Sequence, residues 1–230
     1  MAGNNMPLMV GGIGLAVVVL FLFLFAIILI PALIVVAFNP LASFDDSNNE
    51  TSNSNKCYDL VYTNISDEQK YAEAITKHVR TSFPQSPWLT IPGGPGKYAV
   101  AGGKKYDVNP SFAVCIAQHE SGFGSCTGCW ADTGNSHNSF GRSATESQPH
   151  AHYGSWTIYA WPSWEASLDS NDSEYQFLSE QYIHKGFKCK NLECWVVPYA
   201  GTGPNPTYVN FIKDCEDNIN QIAGNAISCN

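Results

Sequence analysis

Hydrophobic residues are distributed very unevenly along this chain. Residues 10–38 form a run without a charged side chain that is rich in Leu, Ile, Val and Phe. Because about 20 helical residues cross a bilayer core roughly 30 Å thick, this pattern predicts one transmembrane helix within residues 1–38. The run lacks the positively charged start and the short apolar stretch of a cleavable signal peptide. We therefore expect an N-terminal membrane anchor.

The pattern changes after the apolar run. Residues 39–56 are polar and show no periodicity, which is typical of a flexible linker. Residues 57–230 have a mixed pattern again and are numerous enough to bury a single hydrophobic core. We predict one domain over residues 57–230.

The first half of this domain contains two helix patterns. A capping box at Ser66 precedes apolar positions at helical spacing and predicts a helix that ends near Phe83. Asn109 as N-cap and Gly122 as a stop predict a second helix, apolar nearly all round and therefore central. The prolines and glycines of residues 84–108 predict a loop with at most short strands.

The second half begins with polar residues 131–158, which predict loops with a small hairpin. Helices are expected from Ser163 onward, over residues 173–184 and over residues 208–223, joined by turns that contain Gly186, Pro198 and Gly203. The expected fold is therefore α+β and mainly helical.

Charge and cysteine content restrict the function and the compartment. The chain has 12 Lys and Arg against 20 Asp and Glu, a net charge of -8, which makes nucleic-acid binding improbable. All eight cysteines follow the apolar run. An even number of cysteines behind an export-type segment predicts disulfides and a domain outside the cytoplasm, in the periplasm or the extracellular space.

The cysteines suggest two other functions. The stretch GSCTGCW is close to the nucleophile turn of papain-type proteases, but its spacing to downstream histidines does not match that family. Cys126, Cys129, Cys189 and Cys194 could instead supply four zinc ligands. Disulfides that staple loops explain them better in an oxidising compartment, although the sequence cannot choose the pairing. We therefore expect no metal ion and no cofactor.

A carboxylate offers the stronger candidate chemistry. Glu120 lies in the last turn of the predicted central helix, and Gly122 and Gly124 leave room beside it. Cleavage of a glycosidic bond needs such an acid near the leaving oxygen, together with a second group that activates water or stabilises the oxocarbenium-like carbon. A helix-terminal glutamate exposed to water is the alternative.

Four sequence segments carry a resemblance to a known family. The segments, in order, are IAQHESGFG at 116–124, NSFG at 138–141, IYAWPSWEASLD at 158–169 and YAGTGPNPTYVNFI at 199–212. In this order they resemble bacterial peptidoglycan hydrolases of the glucosaminidase type, glycoside hydrolase family 73, which are relatives of the lysozyme superfamily. The resemblance implies a lysozyme-like domain that cleaves cell-wall glycan.

The resemblance also implies roles for individual residues. Glu120 would be the general acid, and Tyr199 the tyrosine that lines the cleft near the reacting sugar. The family's second carboxylate lies on a mobile hairpin, where this chain offers only Glu146. Asp132 and Glu165 are alternatives, and the 2-acetamido group of the substrate can replace a protein nucleophile.

Aromatic residues are dense between positions 130 and 164 and offer flat faces for sugars, although aromatics more often fill cores. Seven aromatic residues lie in this range, and we expect two or three of them to line the groove that binds substrate. The predicted substrate-binding residues are Asn138, Phe140, Tyr159 and Trp161. His150 and His152 are further candidate polar contacts.

These observations predict a membrane-anchored hydrolase of β-1,4 bonds in peptidoglycan. Its partners would be glycan strands and the membrane, within a secretion, division or viral envelope complex. A lytic transglycosylase with the same glutamate, or an inactive glycan-binding or structural subunit, is the alternative.

Overall fold

The computed structural model describes residues 58–131, 133–201 and 203–228. The predicted membrane helix and the linker over residues 39–56 lie outside these ranges, so both stay predictions. Within the described ranges, no helix combines the length and the apolar character that crossing a bilayer requires.

The domain is built from helices and one small hairpin, which confirms the mainly helical α+β class. Strands β1 and β2 are antiparallel, a π-helical segment over residues 179–184 continues α5, and short 3₁₀ turns fill some connections. In chain order the elements are α1 (Glu68–Ser82), α2 (Pro95–Tyr106), α3 (Pro110–Ser121), β1 (His150–Tyr153), β2 (Trp156–Tyr159), α4 (Trp164–Asp169), α5 (Glu174–Leu178), α6 (Leu192–Ala200) and α7 (Pro206–Ala223).

Helix α3 is the centre of the core, as its sequence predicts. The side chain of Asn109 caps its start by accepting a hydrogen bond from the Ser111 N–H at 3.1 Å, and residues 112–117 are fully buried. Gly122 ends the helix in the left-handed conformation, with φ 57°. A Cβ there would lie 2.5 Å from the Phe83 ring, so the helix stop requires glycine.

Helix α2 corrects the prediction of a loop over residues 84–108. Its glycines look like helix breakers in the sequence, but they let other backbones approach closely. A Cβ on Gly96 would lie 1.8 Å from the Ala72 carbonyl oxygen of α1. A Cβ on Gly102 would lie 2.2 Å from the Leu168 carbonyl oxygen of α4. Tertiary packing therefore outweighs the low helix propensity of these residues.

Helix α6 was also missed, since the sequence places Pro198 in a turn. Asn191 caps this helix by accepting a hydrogen bond from the Cys194 N–H at 2.9 Å, and Pro198 lies within its last turn. The three helices predicted in the second half are confirmed as α4, α5 with its π-helical continuation, and α7.

The hairpin is larger than its two short strands suggest. His150 pairs with Tyr159 and Tyr153 with Trp156 across β1 and β2. The preceding segment runs along the other edge of β2, where the Ala144 N–H donates to the Thr157 carbonyl at 3.0 Å. The turn before the hairpin is thereby fixed to it.

Disulfides join the described cysteines, as predicted. The pairs are Cys115–Cys215, Cys126–Cys129 and Cys189–Cys194. These bonds leave no thiolate for the papain-type nucleophile or for the four-cysteine zinc site. Cys57 and Cys229 lie outside the described residues.

Candidate active site

Glu120 emerges from the end of α3 into an open cleft of about 610 Å³. The walls of the cleft are the turn at residues 140–143, Trp156 of β2, α5 with its continuation, and the facing ends of α6 and α7. The side chain of Glu120 is 22% exposed, so it is partly buried and still reaches the cleft.

Tyr208, in the first turn of α7, fixes the Glu120 carboxyl. Its hydroxyl donates a hydrogen bond to Glu120 Oε1 at 2.5 Å, and its ring stacks on His119 with centroids 3.8 Å apart. Burial, and then the charge of Glu120, raise the pKa of Tyr208 far above its ordinary value. The hydroxyl therefore keeps its proton and remains a donor to the carboxyl.

Gly141 lets the backbone of the facing turn come close to this carboxyl. Its φ is 69°, and a Cβ there would lie 3.4 Å from Glu120 Oε2 and 3.5 Å from Trp130 Nε1. These distances are ordinary van der Waals contacts, so the requirement for glycine comes from the left-handed backbone, in which a side chain would be strained. The Ser121 hydroxyl anchors the same turn to α3 by donating to the Ser139 carbonyl at 2.8 Å.

Over residues 96–221 the sequence matches the Glucosaminidase family, described as mannosyl-glycoprotein endo-beta-N-acetylglucosaminidase. This match covers more than half of the chain. The chain belongs to the Glucosaminidase family. The resemblance stated above is thereby confirmed, and the chain is a glycoside hydrolase that acts on peptidoglycan. No curated protein and no solved structure matches it.

A second carboxyl of this glucosaminidase, which the sequence did not indicate, borders the cleft. Glu174 is fully buried at the start of α5, and neither of its oxygens has a hydrogen-bond partner. Burial raises its pKa to about 8, and the charge of Glu120 acts in the same direction, while Arg142 opposes the shift. Glu174 is therefore protonated in the folded enzyme at neutral pH. In the sequence it looks like an ordinary first-turn glutamate.

Arg142 acts on this buried carboxyl through its charge, which lowers the pKa of Glu174, and it packs against aromatic rings. Its guanidinium lies 4.2 Å from the ring centroid of Tyr159 and 4.3 Å from that of Phe177. It also donates to the Asp172 carbonyl at 3.1 Å. This cation is therefore held by rings and backbone beside the cleft.

Tyr199 lies in the cleft wall, as the resemblance implies, but its hydroxyl points elsewhere. It donates to the Phe140 carbonyl at 3.0 Å, and burial raises its pKa well above the ordinary value. The structure places the hydroxyl of Tyr208 at Glu120. Tyr208 belongs to the same late sequence block, yet nothing in the sequence distinguishes the two tyrosines.

The four predicted substrate-binding residues, Asn138, Phe140, Tyr159 and Trp161, are all buried. Of the four, only Phe140 is also among the residues that line the cleft. The Asn138 amide donates to the carbonyls of Arg142 at 2.8 Å and Tyr159 at 3.1 Å, so it holds the turn together. Contact of these four residues with substrate stays a prediction.

Glu146 lies in the turn before β1 with 70% of its side chain exposed, and it is not among the residues that wall the cleft. Its role as second carboxylate stays a prediction. Glu165 occupies the first turn of α4 behind its Ser163 cap, and Asp132 lies outside the described residues.

Trp156 is the aromatic residue best placed to meet a sugar. It is 64% exposed beside the hairpin turn, and it lines the cleft. An exposed indole face in a cleft that is also lined by the Glu120 carboxyl matches the needs of a glycan site.

A second groove, of about 650 Å³, runs between α1 and α2. Its Glu68 forms an exposed pair with Lys104 at 2.7 Å, which is typical of a solvated surface. We therefore assign the chemistry to the cleft at Glu120.

Proposed function

We propose that this chain is a membrane-anchored endo-β-N-acetylglucosaminidase that cleaves β-1,4 bonds in the glycan strands of peptidoglycan, with Glu120 as general acid. The observation that carries the proposal is the partly buried Glu120 carboxyl, held by Tyr208 at the edge of an open cleft of about 610 Å³. The lysozyme-like character of the domain is part of the same proposal and agrees with its mainly helical architecture.

The hydrogen bond from Tyr208 assigns different roles to the two oxygens of Glu120. Oε1 accepts from the tyrosine, so the transferable proton belongs on Oε2, which lies beside Gly141. As the bond between the anomeric carbon and the leaving oxygen breaks, Oε2 gives its proton to that oxygen. Water then adds to the anomeric carbon, and its proton returns to the carboxylate.

The second catalytic group is the point on which two mechanisms divide. Glu146 is not among the residues that wall the cleft. Besides Glu120, the only carboxyl that lines the cleft among the described residues is Glu174, which is buried and protonated. This arrangement favours stabilisation of the reacting carbon by the 2-acetamido group of the substrate. The same observation favours a lytic transglycosylase as second candidate, in which the sugar closes on itself instead of admitting water.

The anchor and the compartment belong to the same proposal. The apolar run at residues 10–38 and the disulfides of the domain support a single-pass protein whose catalytic domain lies in the periplasm or outside the cell. Anchoring would confine cleavage to wall near the bilayer, as a secretion, division or viral envelope complex requires.

The decisive variant is Glu120→Gln in the full-length protein, because glutamine keeps the shape and removes the proton. We expect cleavage of purified wall to fall by at least about 100-fold, with glycan binding and the far-ultraviolet circular dichroism spectrum retained. Glu73→Gln, at an exposed position of α1, is the matched control and keeps full activity. Cleavage that persists in Glu120→Gln would exclude Glu120 as the acid.

Mass spectrometry of the products separates the two mechanisms. Hydrolysis by a glucosaminidase leaves N-acetylglucosamine at the new reducing ends, whereas a transglycosylase leaves 1,6-anhydro ends. Anhydro products that depend on Glu120 would replace the first candidate with the second.

Comparing Tyr208→Phe with Tyr199→Phe tests the positioning of the acid. We expect the first change to lower kcat about tenfold at constant KM and to alter the pH profile of kcat, because it frees Oε1. Tyr199→Phe removes a hydroxyl that bonds to a backbone carbonyl, so its effect on kcat is smaller. An equal effect of both would contradict the role of Tyr208.

A further inference from the structure

Three side chains of types that can bind a metal ion meet at the hairpin, and none of them is among the residues that wall the cleft. Glu146 lies in the turn before β1, and His150 and His152 lie on β1 itself. One ligand atom from each side chain lies within 4.8 Å of the other two. Side chains two positions apart on a strand point to the same face, which explains how the two imidazoles come together.

The contacts of His150 leave one of its nitrogens directed at a carboxylate. Nδ1 lies 2.8 Å from the Gln148 carbonyl oxygen, which can only accept, so Nδ1 carries a proton. Nε2 lies 3.1 Å from Glu146 Oε2. When the ring is neutral, a lone pair of His150 Nε2 therefore faces a lone pair of Glu146 Oε2, and the two atoms repel each other. A cation between them removes this repulsion, and a second proton on the ring is the alternative.

Glu146 is itself oriented for such a role. Its Oε1 accepts a hydrogen bond from the Thr157 hydroxyl at 3.1 Å, which leaves Oε2 toward His150. Thr157 is the cross-strand partner of His152. Metal-binding carboxylates and imidazoles are characteristically held by such outer hydrogen bonds, and here Thr157 and the Gln148 carbonyl provide them.

We propose that Glu146, His150 and His152 bind a divalent transition-metal ion, with zinc the best match to two imidazoles and one carboxylate. Zinc takes such ligands at about 2.0–2.2 Å in a tetrahedral arrangement, with water in the fourth position. Glu146 and His152 are exposed and His150 is half-buried, so small rotations of the three side chains can bring the donor atoms to that distance. In the sequence only the cysteines suggest zinc ligands, so this site was not expected.

The proposed ion has a structural consequence for the cleft. It ties the turn at Glu146 to β1, and β1 pairs with β2, which carries Trp156 at the cleft. Zinc would also engage the carboxylate of Glu146, the residue that the resemblance proposes for catalysis. Metal binding and the chemistry at Glu120 are separate properties, and each can fail without the other.

The test uses full-length protein, purified in detergent because of the apolar run and stripped of metal with a chelator. Zinc binding is followed by calorimetry, and cobalt binding by its visible absorption. We expect one equivalent of zinc to bind at micromolar concentration. His152→Ala weakens binding by at least about tenfold, and Thr157→Val, which removes an outer hydrogen bond, by about tenfold.

His184→Ala is the matched control. His184 Nε2 lies 3.2 Å from Asp107 Oδ2, so this pair has one imidazole and one carboxylate without the second histidine. Zinc binding by this variant equals that of the wild type. The proposal is overturned if the wild type binds no zinc, if His152→Ala binds it as tightly, or if His184→Ala loses it as well. Circular dichroism of each variant establishes that it is folded.

Discussion

At the scale of single residues, the site contains two glutamates in opposite surroundings. Glu120 reaches the cleft and accepts a hydrogen bond, whereas Glu174 is fully buried without a partner. Burial without a hydrogen-bond partner disfavours the charged form of a carboxyl, which raises the pKa of Glu174. The burial of Glu174 predicts that the stability of the protein depends on pH.

Glu174 should make the protein less stable as the pH rises. Its pKa is about 8 when folded, against an ordinary 4.5, so the folded state binds more protons than the unfolded state between these values. The free energy of unfolding therefore falls with pH across this window, by up to about 1.4 kcal/mol per pH unit. Glu174→Gln removes this contribution, so its stability relative to the wild type increases from pH 4.5 to pH 8.

Urea denaturation at several pH values measures the difference between the two proteins. Glu216 is also buried with a raised pKa, so both proteins retain some dependence and only their difference is informative. Glu73→Gln, at an exposed position of α1, serves as the matched control. If the difference for Glu174→Gln changes with pH no more than that of the control, burial does not raise the pKa of Glu174.

Sequence reasoning reached Glu120 but not its neighbours, for a physical reason. The helix that carries Glu120 has local signals, a capping asparagine, a first-turn proline and a terminal glycine. The hydrogen bond from Tyr208 to Glu120 joins residues 88 positions apart. The burial of Glu174 depends on packing among several elements. Local patterns contain no information on such contacts.

At the scale of elements, the hairpin contributes an exposed aromatic face to a cleft formed mostly by helix ends. Trp156→Ala removes this face without disturbing the core, since the residue is 64% exposed. We expect KM for soluble glycan fragments to rise about tenfold, or about 1.4 kcal/mol, with kcat nearly constant. Steady-state kinetics provide the measurement.

Phe187→Ala is the matched control for Trp156→Ala. Phe187 is 54% exposed and stacks on Tyr182, but it is not among the residues that line the cleft. Its removal should leave KM unchanged. Equal effects of the two changes would indicate a general loss of surface hydrophobicity instead of a sugar contact.

The elements also show where sequence patterns mislead. In the sequence, the glycines of α2 and the proline of α6 look like residues that interrupt a helix. In the structure, the glycines allow the backbones of α1 and α4 to approach closely, and the proline lies in the last turn of its helix. By contrast, α3 and α7 combine clear caps with a continuous buried face and were predicted nearly to their ends.

At the scale of the whole molecule, the bond Cys115–Cys215 joins the two helices that carry Glu120 and Tyr208. It closes a loop with a sequence separation of 100. Replacing both cysteines with alanine should lower the free energy of unfolding by about 4–5 kcal/mol. The cost of removing Cys189–Cys194, with a separation of 5, should be only about 2 kcal/mol.

Guanidinium denaturation of the two double variants, with wall cleavage measured alongside, tests this prediction. The first variant should lose activity at temperatures where the second retains it. If both lose equal stability, loop length does not determine the contribution of these bonds.

The position of this long-range bond also affects how the protein is made. Cys115 can form this bond only after 100 further residues have been synthesised, because its partner is Cys215. The acid and the tyrosine that orients it are therefore locked together late in biogenesis. If the proposed localisation holds, a chain that is still being translocated lacks this bond between the helix of the acid and the helix of the tyrosine.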